Sequence, residues 1–300
     1  MPLDKSKLCG AVYIPAEETV FKRSLAIKTY GDLPRESGRG KKRFFWPYQR
    51  TVLGRDFEEI QTGPTCVSKG IQRSAMMLMC IRIALKGMRE QVPGIIASEP
   101  LYGLGRNEIG RGRLRNNGGL VVSWGIKAAM QYGFLWRQKY GAIDLTQYND
   151  NLAEYWGRPG VGIPDQLEPI AREFPLLDAA PVTTWDEICT ALYNGEPIVG
   201  GSNQIFERRA SDGYLIQTMS GGHCTTIDGY DDSISDPYVV YNNGSWPPIP
   251  GMRIEDCPRC AGPLRRRKME EMLDEGEWYA VSDIKGMPAQ SDELDKFDIF

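Results

Sequence analysis

One stretch limits the fold more than any other. From Thr65 through Cys66, Ile71, Ala75, Leu78, Ile81, Leu85 and Met88 to Pro93, the apolar spacing predicts a helix of about 24 residues. Between Ala75 and Leu85 it is apolar nearly all round, so other elements have to enclose it. Arg82 interrupts the run, and it falls short of the roughly 18 apolar residues that a membrane span needs. The chain therefore has to supply a shell around one buried helix, and 300 residues that are 41% hydrophobic suffice for it. Further helices are expected at about Leu120 to Tyr132, stopped by Gly133, and at Pro164 to Phe174. Another runs from Thr184 to Asn194, opened by the capping box Thr184-Trp-Asp-Glu187 and closed by Gly195. The character then changes to strand at Pro197 to Gly200, Tyr214 to Met219, Cys224 to Tyr230, Tyr238 to Asn242 and Trp278 to Ile284. Helices early and strands late imply an α+β fold of two halves with the active site between them.

The remaining segments lack periodicity. Residues 1 to 45 read as an irregular basic arm, with Arg35 to Arg43 (RESGRGKKR) as a solvated loop. An irregular insert is expected from Pro247 to Glu277, and the end of the chain is acidic. The charge of 36 Lys+Arg against 39 Asp+Glu, or −3, excludes a strongly basic nucleic-acid binder, so nucleic acid is not an expected partner. The first twenty residues carry Asp4, Lys5, Lys7, Glu17 and Glu18 without an apolar core, so no signal peptide is read. The expected location is the cytoplasm, or an assembly such as a phage particle. Seven cysteines, an odd number at irregular spacing, predict thiols and not a disulfide framework. Cys257-Pro-Arg-Cys260 is half a zinc knuckle without a second pair, which reads as a surface loop with two thiols. No metal and no cofactor are expected. The basic clusters Arg106 to Arg115 and Arg265 to Lys268 read as solvated, or as paired with the acidic end.

His223 is the only histidine, so any chemistry that needs an imidazole must use it. Gly221 and Gly222 deliver it to the start of a strand. Cys66 stands at the start of the buried helix, where unpaired N–H groups and the helix dipole lower a thiol pKa. A thiolate beside an imidazole is a nucleophile with its own proton carrier. The imidazole needs a third group to orient it, and Asn242 or Asn243, at the end of the next strand, can supply an oxygen. Trp246 lies near enough to shield that bond. Gln61, five residues before Cys66, can place an amide N–H beside the Cys66 N–H as an oxyanion donor.

The order Gln, Cys, His, Asn, Trp resembles the papain-like cysteine proteases. Gln61-Thr-Gly-Pro-Thr-Cys66 is similar to that family's active-site segment, one residue shorter and with Val67 in place of the usual Trp. Ser98-Glu99-Pro100-Leu101 resembles its Ser-Glu-Gln-Leu stretch, and Asn116-Asn117-Gly118-Gly119 its Cys-Asn-Gly-Gly segment. Gly222-His223 to Gly229-Tyr230, Val239-Val-Tyr-Asn242 with Trp246, and Glu277-Trp-Tyr-Ala-Val resemble the His, Asn and closing segments. The likeness spans about Trp46 to Lys285, with 157 residues from Cys66 to His223 and 19 from His223 to Asn242.

The resemblance implies a papain-like domain over 46–300, with a helical lobe over about 60–195, a β lobe over about 196–285 and an acidic tail over 286–300. Its implied catalytic set is Cys66, His223, Asn242 and Gln61, with Asn242 preferred because it ends its strand. Asn117, Gly118, Gly119, Gly222 and Trp246 are the implied substrate contacts, the Gly-Gly backbone pairing with the substrate chain. The implied activity is peptide-bond hydrolysis through an acyl-enzyme, on a protein or peptide substrate and away from membranes. The same nucleophile could serve a cell-wall peptide amidase or an acyl transferase. The family's long inhibitory prosegment is not recognisable, and Gly63 and Asn116 stand where its disulfide cysteines would be. With Val67 and the wider Asn–Trp spacing, this also suits an idle structural module of a larger assembly, its basic arm holding a protein partner.

Overall fold

A computed structural model describes residues 9–12, 35–85, 94–115, 118–251, 253 and 256–285. The central helix runs Cys66–Leu85, with every residue from Cys66 to Ile83 buried. Gly70 lets it lie directly on the sheet, because a Cβ there would come within 2.9 Å of the Cys224 Sγ and 3.1 Å of the Val199 side chain. Three charged residues in this helix are buried as well, which the apolar pattern did not disclose. Lys69 pairs with Glu59 at 2.5 Å and Arg82 with Asp283 at 2.7 Å, while Arg73 is attracted by the charge of Asp228 without a close ion pair. Buried charges are tolerable only when matched in this way.

The architecture is α+β. On one side of the central helix lie the helices Ser98–Leu104, Val122–Gln131 and Asp150–Trp156. On the other is an antiparallel sheet in the order Ala261–Arg265, Tyr238–Asn242, Leu215–Asp231, Ile198–Arg209, Glu277–Ile284 and Leu176–Pro181. One core joins the central helix to the helical side, and a second lies between the sheet and the helix Trp185–Tyr193. That helix carries both halves of its capping box, and Gly133 ends the Val122–Gln131 region at φ 80°. No helix among the described residues is long and apolar enough to cross a membrane.

Several expectations are corrected. The stretches 214–219 and 224–230 form one strand, Leu215–Asp231, which carries the glycines between them without a break. The insert from Pro247 to Glu277 contains the strand Ala261–Arg265 and the helix Arg266–Glu275. The arm is not irregular throughout, since Lys42–Phe44 pairs with Gly229–Asp231. Its basic loop is exposed, as expected, but also pinned by ion pairs: Arg39 bonds Asp232 at 2.7 Å and also Asp186, and Arg35 pairs with the buried Glu196 at 2.8 Å. Cys257 and Cys260 are buried, donating to the Ala261 carbonyl at 3.4 Å and to Asn242 Oδ1 at 3.3 Å, so that segment is no surface loop. No group of three or more metal-ligating side chains occurs among the described residues. Of the basic clusters, Arg265 bonds Asp212 and Asp236, and Arg106 is buried. The acidic tail 286–300 and Asn117 lie outside the described residues.

Candidate active site

The site begins with the loop that leads into the central helix. Asp150 gathers it: its carboxylate accepts from the Thr62 N–H and hydroxyl, from the Thr65 hydroxyl at 2.9 Å and from the Tyr148 hydroxyl. Gly63 fits against this knot, where a Cβ would meet Glu154 Oε1 at 2.6 Å and Asp150 Oδ1 at 3.2 Å. A carboxylate thus does the fastening that the resemblance would assign to a disulfide, and the cysteines are thiols. Gln61 is fully buried in the same loop, its N–H donating to the Ser245 carbonyl at 2.8 Å and one side-chain amide hydrogen to Gly63 O at 3.0 Å.

Cys66 is fully buried, its sulfur held by the backbone N–H groups of Cys224, Gly10 and Val67. The Cys224 contact places the sulfur one residue from His223. His223 lies in the Leu215–Asp231 strand opposite Ser202 and is 2% exposed. Its Nε2 is 2.8 Å from Asn243 Oδ1, and its Nδ1 is buried without a hydrogen-bond partner. The indole of Trp246 covers the imidazole with ring centroids 4.6 Å apart.

The residue that orients His223 is Asn243, and the preference for Asn242 is corrected. Asn242 does end the strand Tyr238–Asn242 and pairs with Thr226. Successive side chains of a strand point to opposite faces. Asn242 therefore turns away, donating to Asp228 and accepting from the Cys260 thiol, while Asn243 meets the imidazole.

The backbone beside the cleft pairs with the chain's own arm. Gly119, at φ 94°, donates its N–H to the Tyr102 hydroxyl at 2.9 Å and gives its carbonyl to Arg106. Both of its polar groups are engaged, and the next residue, Leu120, carries the pairing with the arm. Residues of the arm lie there. The Leu120 N–H donates to Gly10 O at 2.7 Å, Val12 N–H to Leu120 O at 3.0 Å, and Ala11 N–H to Gly222 O at 2.9 Å. The Ala11–Leu120 pairing is parallel. Residues 9–12 therefore occupy the cleft across Cys66, a placement that nothing in their sequence signals. Gly10 is essential to it, since a Cβ there would stand 2.2 Å from Pro64 O.

Burial sets the electrostatics. It pushes the Cys66 thiol from 9.0 up to about 11 despite three N–H donors. It pulls His223 from 6.5 down to about 4, against the Asn243 bond, with Arg73 acting in the same direction as burial. At pH 7 the closed site holds a thiol and a neutral imidazole, so the expected lowering of the thiol pKa is absent while the cleft is filled.

The chain is similar to xylellain, a cysteine protease from Xylella fastidiosa, with 17% identity and a TM-score of 0.57 over 94% of this chain and 98% of that one. It is also similar to procathepsin L2 from the larval midgut of Tenebrio molitor, with 13% identity and a TM-score of 0.53 over 93% of this chain and 79% of that one. Procathepsin L 3 from the same source gives 13% identity and a TM-score of 0.51, over 92% and 77%. No family model matches the sequence, and no curated protein matches it significantly. The chain has the papain-like fold.

Proposed function

We propose that the protein is a papain-like thiol peptidase whose own residues 9–12 close its cleft. The observation that carries this reading is the bond from His223 Nε2 to Asn243, which leaves Nδ1 as the nitrogen able to take the Cys66 proton. Cys66 Sγ attacks the scissile carbonyl carbon as Nδ1 accepts the thiol proton. The amine leaves with that proton, and water hydrolyses the thioester by the same route. The oxyanion forms beside the Cys66 N–H, which has no intrahelical acceptor at the first helical position, and beside the Gln61 amide. The arm escapes cleavage because the group it presents to the sulfur is the Gly10 N–H and not a carbonyl carbon. A chain running the opposite way along Leu120 exchanges donors for acceptors and can present a carbonyl there.

The test uses the full chain carrying Gly10→Leu, treated with a peptidyl chloromethyl ketone and analysed by mass spectrometry. The expected result is a single adduct on Cys66. Labelling spread over the other cysteines, or none, would count against the reading.

Within this mechanism the two asparagines separate cleanly. Asn243→Ala is expected to lower kcat by about 10- to 10²-fold, the loss of one hydrogen bond to a group that becomes charged. Asn242→Ala is expected to act mainly on stability, lowering the melting temperature by freeing Asp228 in a buried site. Paired kcat and thermal-melt measurements check both, and the reverse pattern would return the orienting role to Asn242.

A further inference from the structure

Next to the cleft is a cavity of about 600 Å³ whose wall includes Pro64 and Gly118. These two residues touch, a Cβ on Gly118 meeting the Pro64 ring at 2.7 Å. Pro64 is also the residue at which the side-chain direction of Gly10 points, 2.2 Å from its carbonyl oxygen. The cavity thus adjoins the cleft on its Pro64 side, beside the position of the residue seated on Cys66.

Its lining is basic: Arg106, Arg115 and Arg158 against Glu154. Arg106 is rigid, its guanidinium donating to the carbonyls of Gly157 at 2.8 Å, Arg115 at 2.9 Å and Gly119. All three partners are neutral, so they fix the charge without cancelling it. Arg115 and Arg158 are exposed, and neither is paired with a carboxylate among the described residues. Tyr102 adds a donor. Its oxygen receives the Gly119 N–H at 2.9 Å and Arg106 at 3.5 Å, which leaves its own hydrogen to give. The opposing acid, Glu154, stands against the Gly63 position of the loop.

We infer that this cavity selects substrates bearing an acidic side chain, Asp or Glu, on a residue that lies in the cleft beside Cys66. A carboxylate there meets a fixed guanidinium, a phenol hydrogen and two adaptable arginines at the rim, a donor set matched to its two oxygens. The inference rests on the peptidase reading and adds its substrate class. It also gives a role to the Arg106–Arg115 cluster, which by sequence alone reads as solvated or paired with the acidic end.

The experiment compares two peptides that differ only by Glu or Gln at that position, using the full chain with Gly10→Leu. The expected kcat/KM favours Glu by about 10-fold or more, and the preference weakens as salt is raised. In Arg115→Ala/Arg158→Ala, both at exposed positions, the Glu/Gln ratio is expected to fall toward one. Equal rates for the two peptides, or a ratio unchanged by the double substitution, would overturn the inference while leaving the peptidase reading intact. A parallel measurement needs no turnover. Binding of the same peptides to the Cys66→Ala form of that chain, read by fluorescence anisotropy, is expected to show the same preference. Acid-selective binding without any cleavage would sink the peptidase reading and keep the pocket assignment.

Discussion

Gly10→Leu is expected to raise kcat/KM for a peptide substrate by on the order of 10²-fold. Any side chain at this position has to displace Pro64 or expel the arm, because the Cβ alone falls 2.2 Å from a backbone oxygen. Pro64 belongs to the loop tied to Asp150 through Thr62 and Thr65, so the arm gives way first. Its departure breaks the bonds between Gly10 and Leu120, Ala11 and Gly222, and Val12 and Leu120. At about 1 kcal/mol each, these amount to roughly 3 kcal/mol, or about 10²-fold in accessible cleft. Steady-state kinetics on the two full-length proteins decide the matter. An unchanged or lower rate would mean that residues 9–12 do not restrain the site.

His223→Ala is expected to lower cleavage by on the order of 10⁴-fold, the scale on which loss of a nucleophile's proton acceptor is felt. The chain has no second histidine to substitute for it. The substitution leaves a space capped by Trp246 and bordered by Asn243, which are the surfaces that hold the ring. Imidazole added to the buffer is therefore expected to restore part of the rate, a recovery that a purely structural histidine would not give. A loss of less than about 10-fold, with the thermal melt unchanged, would remove His223 from the chemistry.

The physical reasons why some of this was legible in the sequence are specific. The central helix was evident because its stretch from Ala75 to Leu85 is apolar nearly all round, while the buried polar residues before it, from Ser68 to Ser74, left no such mark. The capping box and Gly133 are local devices whose geometry depends on a few neighbouring residues, and both act as expected. His223 meets Asn243 and Trp246, and the Cys66 sulfur meets Cys224, the residue after His223. The choice between Asn242 and Asn243 was not legible, because it depends on which face of the strand each residue occupies, and that is set by pairing with Thr226. Nor could the sequence show that Tyr102 and Arg106 would occupy both polar groups of Gly119 while the arm pairs with Leu120. Asp150 ties a loop almost ninety positions away in the chain, and Gly10 reaches Cys66 from 56 positions away. Contacts of that range leave no local pattern. The insert from 247 to 277 failed for a different reason: its strand holds Gly262 and Pro263, both poor strand formers, and is stabilised by register with Tyr238–Asn242.

The central claim is that Cys66 is a nucleophile poised by His223 and held inactive by the arm. The most direct test is the pH dependence of Cys66 alkylation by iodoacetamide, read by mass spectrometry in the natural chain, in Gly10→Leu and in Gly10→Leu/His223→Ala. In the natural chain the reaction is expected to be slow and to rise only toward pH 11, where the buried thiol ionises. In Gly10→Leu it is expected to be fast and to persist well below the free-thiol value of about 8.5, and to lose that persistence when His223 is removed. Equal, ordinary thiol titrations in all three proteins would contradict the account, leaving a papain-like fold without a poised nucleophile.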